Sequence, residues 1–403
     1  MKVKRTPGDF QVEELTDVVP ADRGRFTFYR LEKTGIGTFE ALETVRRRWN
    51  LSERQVSYGG LKDRHAQTLQ YLTILDGPDH PLETESFLLE PLGRLSFAYG
   101  PPNFRGNRFT ITLRDLSPRA IEQARASLAS LPSDGVPNYF DDQRFGSVGF
   151  GGGFIARAWL LGEPETALRL AIAEPTESDR GESKLEKAIL REHWGDWATV
   201  KAKLSRSHAR SLATYLVDHP TDFRGAFARL RRDLRSIYFS AYQSHLWNRI
   251  LGRWIERNSR PDQRAEFDFK VATLPIPIGL DPLDASTLSS TRIPLPSSRN
   301  PLPVEPLGAI CREVLAEEGL VWEEFRVRKL EDVFFSKGDR AAIFHADRLH
   351  HTAGADELYP GRRKLTLGFE LPKGAYATLV IKRITDAARP SEAPSNPSDH
   401  RAE

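Results

Sequence analysis

Gly60-Leu61-Lys62-Asp63-Arg64-His65-Ala66-Gln67-Thr68 places one acidic residue among basic and hydroxyl-bearing neighbours, between two segments that read as β-strands. Upstream, Arg54-Gln55-Val56-Ser57-Tyr58 is short, partly apolar and closed by Gly59-Gly60; downstream, Leu69 to Leu75 is rich in β-formers and closed by Asp76-Gly77. Asp63 is therefore expected on or beside a strand end, where functional loops concentrate. In isolation a Lys-Asp-Arg tripeptide reads as a solvated charge run in a turn, so the flanking residues decide its meaning.

Outward from this stretch, residues 1 to about 150 alternate strand-like segments with a few helices. Phe109, Ile111 and Leu113 alternate with Thr110, Thr112 and Arg114, the period of a half-buried strand. One helix is expected from about Phe39 to Trp49. A second starts at Ser117 as N-cap with Pro118 in its first turn and Ile121, Ala124, Leu128 and Leu131 on one face. From Gly151-Gly152-Gly153 onward the pattern turns helical, with segments at Glu163 to Ala173, Ser207 to Val217 and Asp233 to Arg257. Thr273 to Pro306 is rich in proline and serine, which disfavours helix and favours extended loops and short edge strands. Strand character returns at Leu365, Leu367 and Phe369, and Pro372-Lys373-Gly374 supplies a turn before Tyr376 to Ile384, read as the returning arm of a hairpin. Ala387 to Glu403 is rich in Pro, Ser and charge without periodicity, the composition of a disordered tail.

A chain of 403 residues can bury a substantial core and favours two domains. Its 39% hydrophobic and 28% charged residues describe an ordinary soluble protein, no run reaches bilayer-spanning length, and Met1-Lys2-Val3-Lys4-Arg5 leads into polar sequence; a cytoplasmic protein is expected. The single cysteine, Cys311, excludes an internal disulfide and a cysteine-rich zinc site, and core packing is its expected role. Net charge is only +3, so basic character must be local, as in Arg46-Arg47-Arg48, Arg229-Leu230-Arg231-Arg232 and Arg362-Arg363-Lys364.

With Gly-Gly before it and Ala-Gln-Thr after it, the Asp63 stretch resembles the catalytic motif of the pseudouridine synthase D (TruD) family, Gly-x-Lys-Asp-x-x-Ala-x-Thr. Further segments match in order. They are Asp9-Phe10-Gln11-Val12-Glu13-Glu14, Gly106-Asn107-Arg108-Phe109, Val136-Pro137-Asn138-Tyr139-Phe140-Asp141-Asp142-Gln143-Arg144-Phe145-Gly146, the Arg235 to Asn248 helix, and Phe369-Glu370-Leu371-Pro372-Lys373-Gly374-Ala375-Tyr376-Ala377-Thr378. Gly59 and Leu61 occupy variable positions of the motif. The resemblance implies an α/β (α+β) fold, with a catalytic domain built on a mixed, largely antiparallel sheet from residues 1–150 and 356–386. A TRUD insertion domain would occupy 151–355, and 387–403 would be the disordered tail. It also implies an isomerase that converts a uridine of tRNA, in the family position 13 of the D-arm of glutamate tRNA, to pseudouridine. Asp63 would be the catalytic carboxylate, and Phe10, Asn138, Phe140 and Phe369 would bind the uridine.

Such a reaction detaches uracil from ribose, turns it and rejoins it through carbon, with no redox change, so no cofactor, metal or membrane is expected, and tRNA is the partner, with no obligate protein partner. Asp63 would act as nucleophile at C1′ or as base at C2′, and the sequence leaves both open. If residues 62 to 64 are extended, Lys62 and Arg64 point away from Asp63, so its cationic partner must come from elsewhere; Arg144 is the candidate, against a structural pairing with Asp141 or Asp142. Lys4 is expected as an RNA contact, Lys62 as a contact to phosphate or to the domain interior, and His65 as a surface residue. Each phenylalanine alone reads as core. Two other readings stay open: a magnesium-dependent nuclease using Asp63, Asp141 and Asp142, and a non-catalytic RNA-binding or chaperone protein.

Overall fold

In the computed structural model, which describes residues 1–385, the first part of the chain forms strands β1 (Phe10–Thr16), β2 (Phe26–Thr34), β3 (Val56–Tyr58), β4 (Gln67–Leu75), β5 (Leu82–Glu83), β6 (Phe87–Leu95) and β7 (Phe104–Leu116). Two later strands, Asp347–Ala355 and Arg363–Pro372, complete the sheet. Its order runs Asp347–Ala355, Arg363–Pro372, β7, β1, β4, β2, β6, β5, with β3 also paired to β4. All pairings are antiparallel except β1 with β4, so the mixed, largely antiparallel α/β expectation holds.

The register follows the period-two pattern. Phe10 lies opposite Ile111, and Phe109 lies opposite Phe369, so the apolar phases of three adjacent strands share one face. Helix α1 (Thr38–Arg48) buries Ala41, Leu42 and Val45 against Leu31, Leu72, Ile74 and Leu89; burying Leu42 and Val45 stabilises by roughly 1.5–3 kcal/mol each. Helix α2 (Pro118–Asp134) begins as expected, the Ser117 side chain accepting the Ala120 N–H at 3.1 Å. Gly106 in β7 admits no side chain, because a Cβ there would lie 2.2 Å from the Leu371 carbonyl oxygen of the neighbouring strand.

The chain divides into two compact units, one formed by Met1–Val136 together with Phe344 onward, the other by Pro137–Ile343. The seams therefore fall at 136/137 and 343/344 and not at the expected 150 and 355. The reason lies in backbone bonding. Phe140 is bonded through N–H and C=O to the Asn248 side chain at 2.8 and 2.9 Å, which ties the Pro137–Gly146 stretch to the second unit. The strand Asp347–Ala355 instead pairs along Arg363–Pro372, which ties it to the first. The composition shift at Gly151 marks where helices begin, not where contacts end. The expected tail, 387–403, lies outside the described residues.

Two local expectations are corrected. Ala377–Thr385 is a helix, not the return arm of a hairpin. Its β-branched run reads as strand, yet Ala377, Val380, Ile381 and Ile384 recur at helical spacing and are buried. The helix packs on α2, with Arg383 paired to Asp134 at 2.9 Å. The Pro-rich stretch from Thr273 contains the helix Pro282–Ser290, where Pro282 occupies the first turn, the position at which a helix accepts proline most readily. The second unit is otherwise largely helical as read, with a short hairpin of Arg264–Phe269 and Ala272–Pro277 and a second pair, Arg292–Pro294 with Asp339–Ala341, giving the short strands expected in the Pro-rich stretch. Its longest helix, Arg232–Arg257, buries Phe239, Tyr242, Leu246, Trp247, Ile250 and Leu251. Cys311 is buried in the helix Leu307–Glu317. Among the described residues no helix is long and apolar enough to cross a membrane.

Candidate active site

Asp63 sits in the loop between β3 and β4, and its side chain is 44% exposed. Its Oδ2 accepts from Lys4 Nζ at 2.5 Å, while Oδ1 has no protein partner among the described residues. Lys4 also lies over the Phe10 ring, 3.9 Å from its centroid, so the ammonium sits between an aromatic face and the carboxylate. The partner of Asp63 is thus Lys4. Arg144, the sequence candidate, lies in the second unit with its own neighbours: Ser240 Oγ at 3.4 Å and the Phe140 ring at 5.4 Å.

Lys4 is held where it is at a conformational cost. Its φ is +56°, left-handed for a residue with a Cβ, worth roughly 1 kcal/mol. The following turn is fixed by Asp9, whose Oδ2 accepts from Arg5 N–H at 3.1 Å and Thr6 N–H at 3.0 Å, and whose Oδ1 accepts from Arg114 at 2.8 Å. Burial pushes the Asp9 carboxyl up, but the Arg114 guanidinium and the Thr6 N–H outweigh it and hold the group below the usual carboxylate range. Asp9 and Phe10 of the entry motif thus both help seat Lys4.

Beneath the loop lies a buried polar network. β1 and β3 share one edge of β4: β1 runs beside Gln67–Leu69 and β3 beside Leu72–Ile74. Glu14 and Gly59 meet in the space between, where Glu14 Oε1 takes the Tyr71 N–H at 3.4 Å and the Tyr99 hydroxyl at 2.9 Å. Lys62 turns inward to this carboxylate, 2.9 Å from Oε2, with side-chain exposures of only 6% and 0%. Its aligned N–H goes to Asn107 Oδ1 at 2.6 Å, so proximity of charge rather than a directed hydrogen bond joins it to Glu14. A Cβ at Gly59 would come within 2.8 Å of Phe104 and 2.9 Å of Glu14 Oε1, so this position, read from the motif as variable, tolerates only glycine here.

Thr38 of α1 accepts the Lys62 N–H at 3.0 Å and donates to Gln70 at 2.9 Å, and Gln70 donates to the Gly60 carbonyl at 3.2 Å. Lys33, the penultimate residue of β2, donates to the carbonyls of Ile36, Lys62 and Asp63 at 2.8, 3.4 and 2.9 Å. Loop residues 60 to 63 are thereby anchored from below while Asp63 faces out. Arg64 pairs with Glu40, and His65 is exposed as expected.

The aromatic candidates are more enclosed than platforms open to solvent. Phe10 is 4% exposed and meets Phe109 edge to face at 6.2 Å; Phe369, 1% exposed, packs on Phe109 at 5.6 Å. In the second unit Phe140 stands edge to face on Trp247 at 5.5 Å, with Arg340 over its ring at 4.4 Å. Asn138 is 7% exposed and its amide is already in use: Oδ1 accepts from Arg340 at 2.5 Å and Nδ2 donates to the Ala341 carbonyl at 3.0 Å. Glu14, Lys33, Thr38, Gln70 and Arg340 were given no role from sequence. Lys33 and Glu14 carried a readable signal, since Lys33 shares the strand phase of Tyr29 and Leu31 and Glu14 that of Phe10 and Val12, where a charged side chain has no solvent to face. Among the described residues no group of three His, Cys, Asp or Glu side chains is placed to hold a metal ion.

Proteins of known sequence resemble this chain over most of its length. The family model of tRNA pseudouridine synthase D (TruD) matches residues 1–275 and 281–384. "Probable tRNA pseudouridine synthase D 2" of Methanocaldococcus jannaschii is 31% identical over 95% of this chain and 91% of that protein. "tRNA pseudouridine synthase D" of Leptospira interrogans is 26% identical over 95% of both. A crystal structure of the Methanosarcina mazei TruD homologue superimposes with a TM-score of 0.73 at 28% identity, covering 96% of this chain and 93% of the other. The family match over nearly the whole chain, with the relatives and the solved structure, makes the chain a member of the tRNA pseudouridine synthase D family.

Proposed function

We infer that this isomerase converts a tRNA uridine to pseudouridine with Asp63 as the catalytic carboxylate. The observation that carries the assignment is the half-tied state of that side chain: one oxygen held by Lys4, the other open, on a loop anchored at several points. Lys4 fixes the direction of the carboxylate and supplies positive charge beside it. The open oxygen is then available either to attack C1′ or to remove the C2′ proton, and both routes require the ionised form. Preorganisation of this kind is what converts an ordinary aspartate into a group aimed at one atom.

Phe10, Asn138, Phe140 and Phe369 remain in the proposal as uridine-pocket residues on the strength of the motif match. A target in the D-arm, uridine 13 of glutamate tRNA, belongs to the same proposal, as does action in the cytoplasm without a protein partner or cofactor. The test is tritium release from tRNA transcripts labelled at uridine C5, with wild type and Asp63→Asn compared in EDTA. Release by wild type alone, with equal tRNA binding, is the expected result. Release by Asp63→Asn removes Asp63 from the mechanism, and products shortened only in the presence of magnesium would favour the nuclease reading.

A further inference from the structure

We propose that Lys33 is a positioning residue for the reaction: its buried ammonium clamps the backbone of the catalytic loop at Asp63 itself, and so sets the distance of the carboxylate from the ribose. The proposal rests on Asp63 being the reacting carboxylate, as inferred above.

Lys33 is 2% exposed, on a strand hydrogen-bonded on both sides. Among the described residues it has no carboxylate in contact. Instead its three N–H bonds have three carbonyl acceptors, Ile36, Lys62 and Asp63, of which the two closer than 3.0 Å are Ile36 and Asp63. An ammonium offers three donors and no acceptor, so the cation satisfies every acceptor around it. A neutral amine would offer two donors and turn a lone pair toward one of these oxygens.

The chain of cause is short. The Asp63 carbonyl carbon and the side chain share one Cα, so a force on that oxygen acts within the same residue as the reacting carboxylate. β2 lies between β4 and β6, which makes the anchor a rigid one. Thr38 and Gln70 hold the preceding residues, whereas Lys33 reaches the Asp63 carbonyl. A buried lysine without a carboxylate partner is costly to keep charged, and its retention at this one spot is what a positioning task would require.

Burial pushes the Lys33 ammonium down to about 8, with Asp63 and Glu40 pulling it up and Lys62 pushing it further down. These are the charged groups that face it from the loop and from α1. The clamp should accordingly loosen as the pH passes about 8.

The experiment uses the full chain and initial-rate tritium release from tRNA. Wild-type kcat should decline between pH 7 and 9 while KM stays level, and Lys33→Met should lower kcat at pH 7 by roughly 10- to 100-fold, the range a displacement of about 1 Å produces. In that variant tRNA affinity should be unchanged and the decline with pH abolished. A wild-type kcat that is flat from pH 7 to 9 overturns the proposal and needs no variant, so a Lys33→Met chain that fails to fold does not protect it. A folded Lys33→Met with wild-type kcat, or with its loss confined to KM, also overturns it. Asp63→Asn run in parallel separates the two readings, since activity in that variant refutes the role of Asp63 and not the clamp geometry.

Discussion

Replacing Glu14 by glutamine removes one charge from the buried pair beneath the catalytic loop and keeps the shape of the side chain. The new amide can still accept from the Tyr99 hydroxyl and the Tyr71 N–H, so nearly the whole effect comes from leaving Lys62 charged, 6% exposed and short of its counter-ion. Breaking a buried pair from one side costs about 3–5 kcal/mol. The surviving bond from Lys62 to Asn107 Oδ1 puts this case at the lower end, about 3 kcal/mol. For a unit of this size that corresponds to a fall in Tm of roughly 6–12 °C in the transition of the first unit. Lys62→Met alone should cost a similar amount, because it strands Glu14. The double variant Glu14→Gln/Lys62→Met should recover most of the loss, giving a coupling of about 2 kcal/mol or more in a double-mutant cycle. Calorimetry and urea unfolding with unchanged m-values are the assays. If Glu14→Gln shifts Tm by less than about 2 °C, or if the two single changes simply add, the pair is not what holds the loop.

His245 makes a pH-dependent prediction in the second unit. It stacks on Phe154 at 4.5 Å, and burial, followed by the nearby Arg249 and countered by Glu318, pushes its imidazole down to about 4. The unfolded chain takes up a proton near pH 6.5 that the folded one refuses until about 4, so stability is complete above 6.5 and falls as pH drops through that window, by about 3 kcal/mol in all. His245→Phe should flatten the Tm profile between pH 6.5 and 4; parallel profiles would contradict the assignment. Gly106→Ala should destabilise the sheet by about 1–3 kcal/mol, since the new methyl meets backbone rather than a side chain that can swing away. A Tm equal to wild type in Gly106→Ala would show that β7 and the strand Arg363–Pro372 can separate freely.

The basic clusters show how charge reads differently in space. Arg231 pairs with Asp233, Arg362 with Asp115 and Lys364 with Glu357. Members of clusters that in sequence suggest a phosphate-binding surface are here engaged with neighbouring carboxylates, as ordinary solvated surface would also predict. The cation that matters most for Asp63 is a single lysine near the chain's start.

The mixed sheet, the placement of Asp63 at a loop between strands, the helices at Thr38–Arg48 and Pro118–Asp134, and the family were all legible in the order of residues. These are local or nearly local properties: a period of two, a cap with proline behind it, glycines at a turn, a motif read in order. Which cation meets Asp63 was settled by folding. Lys4 lies 59 residues from it, and its reach depends on a left-handed backbone pinned by Asp9 and Arg114. Nor could pattern alone show that Ala377–Thr385 coils, because its β-branched run satisfies both periods until α2 offers a face to bury it against. The seams of the two units were hidden for the same reason, since they follow bonds such as Phe140 to Asn248 that join residues far apart in the chain. Lys33 stands between the two cases: its strand phase is visible in the sequence, but its three carbonyl partners come from two loops that only folding brings over one ammonium.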